Sequence, residues 1–407
     1  MKLEWYEEKR REQCGEWLFS QRHLDRVLYS EQTSSGKKKF FHIIRSTCLF
    51  VWSGMSDRLA GIVGSYMTSI LTKREFHYIE RGDSNDLLSI SWIVKNLPVA
   101  NSMPIFDSQA VSAKEVGHHH YEAQYFDTQH PSKVNKALHV LLINEDRGLI
   151  PLIRNGSILL DDYIPPEYDT VIMKNQFCFT IKAFEVHAYQ DILKETLLSP
   201  ENAFGCIFDY IFQPKPEIFL PVYDHFKKFM EDESKENILK IGIHLRAGDV
   251  AFHDHSHVNP KLHDNLFQCA IEIQKWAMEK GDYTDSLWYV ISDNPEFREY
   301  ALQEYSEYNI YTTANTTIIH GFHQMIEDRH SPNVTEEDRL RTYRGAQQAA
   351  AEWWLFGLMD YHIAARTGYA TAAAYRKPYR NNLFFGRNCF ENNSVPMDVL
   401  GSYLPGI

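Results

Sequence analysis

The chain has 407 residues, 44% hydrophobic and 24% charged, the balance of a globular protein long enough for two domains of about 150–200 residues each. Its 42 Lys and Arg against 54 Asp and Glu give a net charge of −12, which argues against nucleic acid or an anionic membrane as partner. No apolar run approaches the roughly 18 residues of a membrane span, and the six cysteines (Cys14, Cys48, Cys178, Cys206, Cys269, Cys389) are scattered without a CxxC pair, which reads as free thiols in a reducing compartment and no structural zinc.

In chain order, the charged N-terminus carries no signal-peptide pattern, so the expected compartment is the cytoplasm. A strand is predicted at Phe40–Thr47, then a turn from Trp52 through Gly54, Ser56 and Asp57. A helix follows, with Leu59, Ile62, Val63, Tyr66, Met67, Ile70 and Leu71 on one face, and Phe76–Glu80 reads as the next strand. Residues 81–135 read as irregular, with His118, His119 and His120 in a loop. Strands recur at His139–Ile143 and Thr170–Met173, and helices are predicted over 181–198 and 218–230. The charged stretch Met230–Asn237 divides the chain into domains 1–232 and 233–407. Beyond it the prediction alternates: strand 238–246, helix 262–280, strand 287–291, helix 295–304, strand 309–313, helix 344–359, strand 361–366 and helix 369–376. That order implies an α/β fold with a parallel sheet covered on both faces, whose ligands sit beyond the carboxyl ends of the strands.

Three such ends carry chemistry. In Lys240–Asp249 (KIGIHLRAGD), alternation puts Ile241, Ile243 and Leu245 on one face and Gly242, His244 and Arg246 on the other, just before Gly248. The Arg246 fork suits a phosphate or carboxylate, and a salt bridge to Asp249 across the turn would equally occupy it. The second end, Ser292-Asp293-Asn294-Pro295, reads either as a helix cap followed by a first-position proline or as a set of acceptors for a base or ribose. At the third, Arg366, Thr367, Gly368 and Tyr369 open a helix whose free N–H groups suit a phosphate. In the first domain, Asp57 stands at a helix-cap position with Arg58 after it, where a carboxylate could instead take a proton from a hydroxyl nucleophile. His253, His255 and His257 alternate on a loop without closed tetrahedral spacing, so no metal site is expected.

The segments Gly54-Met55-Ser56-Asp57-Arg58-Leu59, His244–Asp249, Ser292-Asp293-Asn294 and Asp360–Thr371, in this order, resemble the α1,2/α1,6/protein-O-fucosyltransferase superfamily. The first departs from the family's glycine-rich pattern at Ser56 and Asp57. The resemblance implies a GT-B fold, two Rossmann-like domains facing each other across a cleft, and a metal-independent enzyme that uses GDP-fucose with no cofactor. It implies a donor site in the second domain: Arg246 on the β-phosphate, His244 near the nucleoside, and Gly248 and Asp249 in the same motif. Ser292, Asp293 and Asn294 would face guanine or ribose, while Arg366, Thr367, Gly368 and Tyr369 would meet the pyrophosphate. Gly54, Ser56, Asp57 and Arg58 would line the acceptor side, with Asp57 as base. The expectation is therefore an inverting fucosyltransferase moving L-fucose to a hydroxyl of a glycan acceptor. Two alternatives stay open: a GT-B enzyme using another nucleotide sugar, or a silent glycan- or nucleotide-binding protein. Members of the family often work in the Golgi lumen, which is the expected compartment if the chain is part of a longer one.

Overall fold

The apolar periodicity near the start of the chain builds a strand–helix–strand unit in the computed structural model, which describes residues 14, 39–45, 55–81, 94–95, 114–117, 120–126, 134–142, 159–160, 164, 167–168, 170–175, 182–222, 227, 237–247, 259–281, 283–313, 335–365, 367–377 and 383–385. β1 (Lys39–Arg45) leads into α1 (Met55–Leu71) and returns as β2 (Glu75–Arg81), parallel to β1 in register. Every described side chain of α1 from Arg58 to Leu71 is buried, so the helix is wrapped on all sides rather than along one stripe. Two of its polar residues survive burial by turning back on the helix: the Thr68 hydroxyl donates to the Gly64 carbonyl at 2.9 Å and the Ser69 hydroxyl to that of Tyr66 at 2.6 Å.

The predicted irregular segment 81–135 contains strands. β3 (Lys114–Gly117), β4 (His120–Phe126) and β5 (Val134–Leu142) form an antiparallel meander, and β5 pairs in parallel with β6 (Thr170–Asn175). The order β2-β1-β6-β5-β4-β3 makes one mixed sheet. His120 therefore opens a strand, while His118 and His119 lie outside the described residues. The helix predicted over 181–198 is broken into 3₁₀ turns at Lys182–Glu185 and His187–Tyr189 and a short α2 (Gln190–Glu195). An unpredicted α3 (Ala203–Ile211) follows and packs on α1, with the Tyr66 and Tyr210 rings 5.6 Å apart.

Cys206 on α3 is joined to Cys14 by a disulfide, with 5.5 Å between the Cα atoms, and Cys269 is disulfide-bonded as well. The expectation of free thiols is thus corrected. Cys14 and Cys206 are separated by 192 residues, and no local spacing rule reveals a pairing at that range.

The second unit begins at Pro214, ahead of the charged stretch at which the sequence divides the chain. The 3₁₀ segment Pro216–Val222, which overlaps the start of the helix predicted over 218–230, packs on α6 (Glu336–Phe356) of this unit, where the Gln347 amide donates to the Glu217 carbonyl. The strands are β7 (Ile238–Leu245), β8 (Asp285–Ser292), β9 (Ile310–Tyr311), β10 (Tyr361–Ala364) and β11 (Leu383–Phe385), all parallel in the order β9-β8-β7-β10-β11. Chain order therefore reverses at β7, and its two neighbours are reached by opposite routes.

The helices α4 (Asp264–Glu279), α5 (Pro295–Glu304), α6 and α7 (Gly368–Ala374) connect successive strands. Ile241, Ile243 and Leu245 pack with Phe267, Ala270 and Ile273 of α4 and Phe297 of α5, the apolar half of the predicted alternation. Gly242 on the opposite face meets α6: a Cβ built there would lie 2.8 Å from the Phe356 ring and 2.9 Å from the Met359 side chain. The glycine thus lets a helix approach the sheet, and the room it leaves is already filled.

Candidate active site

The carboxyl ends of β7 and β8 bring His244, Arg246, Ser292, Asp293 and Asn294 together. The two strands run parallel with Ile291 opposite His244 and Ser292 opposite Leu245, so Asp293 follows β8 just as Arg246 follows β7. Arg246 Nη1 donates to Asp293 Oδ2 at 2.9 Å, and the Ala247 N–H donates to Asp293 Oδ1 at 2.7 Å. One carboxylate thereby holds both the side chain of Arg246 and the backbone that follows it. The Arg246 side chain is one-third exposed, whereas that of Asp293 is 9% exposed.

The neighbours of Asp293 do different work. Asn294, fully buried, is the N-cap of α5: its side chain accepts from the Glu296 N–H at 2.7 Å, and Pro295 takes the first helical position. The Ser292 hydroxyl accepts the Asn294 N–H at 3.1 Å. The capping reading of this segment is realised by Asn294, while Asp293 turns to Arg246.

His244 is buried beneath α6 and α7, its ring stacked on Tyr369 at 5.8 Å and edge-on to Phe356 at 6.3 Å. Burial, joined by the guanidinium of Arg246, lowers its pKa to about 3, so the imidazole is neutral at physiological pH. Its Nδ1 is buried without a hydrogen-bond partner. His362 of β10 lies on the same face, with Nε2 2.8 Å from the Phe356 carbonyl and a pKa also lowered by burial to about 3.

A cluster missed in the sequence lies under this edge. Arg298 of α5 and Glu352 of α6, both buried, form a two-pronged pair with Nη1–Oε1 at 2.6 Å and Nη2–Oε2 at 2.9 Å. Burial alone would raise the Glu352 pKa, but Arg298 and donors from Thr313 and Gln348 outweigh it and hold the carboxyl below its usual range. Arg298 also donates from Nε to the Ser292 carbonyl at 3.1 Å. The available signal was a lone Glu beside Trp353 and Trp354 on an apolar helix, a pattern in which a buried carboxylate needs a partner.

Thr367 caps α7, accepting the Ala370 N–H at 3.3 Å, and Gly368 begins that helix. The Tyr369 side chain turns inward, donating from its hydroxyl to the Ala349 carbonyl at 2.5 Å, while its own carbonyl accepts from the Trp353 indole at 2.8 Å. In the first unit, α1 starts at Met55, so Asp57 is its third residue rather than its cap, and only its backbone is described. Ser56 and Arg58 flank it and are buried, the Ser56 hydroxyl without a hydrogen-bond partner.

Gly54, Gly248, Asp249, Arg366 and the His253–His257 loop lie outside the described residues. Among the described residues no group of three or more His, Cys, Asp or Glu is arranged to hold a metal, and no helix is long and apolar enough to cross a membrane.

No protein-family model and no curated protein matches the sequence. Among solved structures, a point mutant of Arabidopsis thaliana FUT1 in complex with GDP is similar over 96% of this chain and 79% of that one, with TM-score 0.55 and 15% identity. NodZ alpha-1,6-fucosyltransferase co-crystallized with GDP aligns over 84% of this chain and 94% of that one, with TM-score 0.40 and 11% identity. The chain thus shares its α/β fold with FUT1.

Proposed function

We propose that the protein is a glycosyltransferase that takes a sugar, most simply L-fucose, from a GDP-sugar and passes it to a glycan hydroxyl with inversion. The observation that carries this reading is that buried His244 and one-third-exposed Arg246 stand together at the end of β7, the strand where the order reverses. The FUT1 structure with the shared fold holds GDP, which supports the choice of nucleotide.

The chemistry follows from what each group can hold. Breaking the anomeric C–O bond leaves charge on the departing diphosphate, and a fixed guanidinium acts where that charge grows, worth about 3 kcal/mol or more by analogy with one oxyanion-hole donor. A neutral imidazole offers one donor and one acceptor, which suits an uncharged nucleoside edge better than a phosphate. Gly248, Asp249, Arg366, Thr367 and Gly368 belong to the same donor site in this reading, and cations and backbone N–H groups supply the charge that a metal supplies elsewhere. On the acceptor side Asp57, in the first turn of α1 between Ser56 and Arg58, removes the proton of the attacking hydroxyl.

Of the two expected compartments, the Cys14–Cys206 disulfide favours an oxidising one such as the Golgi lumen.

The test is calorimetric titration with GDP, UDP, CDP and ADP, each with and without EDTA. GDP bound in preference and unaffected by EDTA supports the reading. Preference for UDP would discard fucose, and no binding by any of the four would discard the donor site.

A further inference from the structure

We infer that Asp293 is a positioning residue for Arg246 and does not itself bind the nucleotide. The inference rests on the proposed role of Arg246 at the donor diphosphate and departs from the expectation that Asp293 meets guanine or ribose. Both residues lie one step past the last residue of a strand, where the sheet no longer fixes the chain. A long arginine at such a place has many rotamers to lose, and one already held delivers more of its interaction to the transition state. Asp293 supplies the holding: Oδ2 takes the guanidinium and Oδ1 takes the next backbone N–H.

Asp293 is itself held on both sides. Behind it, the Ser292 carbonyl accepts from Arg298, which is locked to Glu352 of α6. Ahead of it, buried Asn294 is committed to capping α5. The edge that aims Arg246 is thus tied through α5 and α6 to the core of its unit.

The sign of the effect separates this role from simple charge. Removing a carboxylate beside a phosphate site strengthens anion binding if charge alone matters, but weakens it if the carboxylate orients the guanidinium. The test is a double-mutant cycle read by GDP affinity in the full chain: wild type, Arg246→Ala, Asp293→Asn and the double variant. Asp293→Asn is expected to weaken GDP about tenfold in the wild-type background and to change it less than about twofold in the Arg246→Ala background. Asp293→Glu, which keeps the charge, recovers most of the loss.

A loss from Asp293→Asn that persists without Arg246 would mean that Asp293 touches the nucleotide or only supports the fold, and it overturns the inference. Unchanged or tighter binding by Asp293→Asn overturns it too. A wild type that binds no GDP removes the donor reading, whereas a persistent loss in a protein that binds GDP removes the positioning role alone.

Discussion

Lowering the pH from 7 to 5 is expected to destabilise the second unit by about 4 kcal/mol through the two imidazoles buried against Phe356. His244 and His362 both have a folded pKa of about 3 against 6.5 when unfolded. Below pH 6.5 the unfolded chain binds these protons and the folded one does not, so stability is full above 6.5, falls with falling pH and levels off near 3. At pH 5 the gap is about 1.5 pH units, or about 2 kcal/mol for each histidine at 1.36 kcal/mol per unit. Their surroundings agree in sign: Arg246 and Arg298 oppose a charge on His244, and burial outweighs Asp360 at His362. Glu352 and Asp360 also have lowered pKa values, but their unfolded values of 4.5 and 3.8 place that loss below pH 4.5, outside the window. Urea unfolding of wild type and of the His244→Gln/His362→Gln variant, followed by tryptophan fluorescence at pH 7 and pH 5, measures the difference. A wild type that loses no more stability than the variant would refute the assignment of neutral, buried imidazoles.

Glu352→Ala leaves Arg298 buried without its carboxylate and is expected to cost about 3–5 kcal/mol in chemical denaturation, far more than a surface Glu→Ala. Gly242→Ala drives a methyl into Phe356 and Met359 and is expected to cost about 1–3 kcal/mol, measured the same way; unchanged stability would mean that α6 yields without strain. Cys14→Ser opens a loop of 192 residues and is expected to remove up to about 5 kcal/mol from the first unit by the chain-entropy estimate, and thiol titration of the unfolded wild type without reductant should find Cys14 and Cys206 unreactive.

The second unit was legible because its signals are local. Apolar runs of strand length alternating with helical patterns marked four of the five strands of the parallel sheet, all but the short edge strand β11, and the helix ends deviated where caps were overlooked. α6 starts at Glu336 because Thr335 and Asp338 form a reciprocal capping box, eight residues before the predicted start at 344. The first unit was harder. β4 does alternate, with Tyr121, Ala123 and Tyr125 against His120, Glu122 and Gln124, but its polar face hides it among loop residues. The disulfide was illegible for a different reason, since a pairing across 192 residues is a property of the fold rather than of any spacing.

At the site, residue type suggests a chemistry but does not fix the partners. Alternation along the strand singles out His244 and Arg246, but β7 ends at Leu245, and parallel pairing with β8 decides what Arg246 meets. Asp249 and Asp293 are equally good partners in a sequence, but the described contact is to Asp293, because strand register carries the end of β8 alongside the end of β7. The segment Ser292-Asp293-Asn294 shows the same limit. Capping a helix and accepting hydrogen bonds from a base or ribose use the same short polar side chains, so sequence alone leaves the three interchangeable. Once α5 begins at Pro295, its cap must be Asn294, and the preceding carboxylate is left to face β7. Arg246 is aimed by where a proline starts a helix.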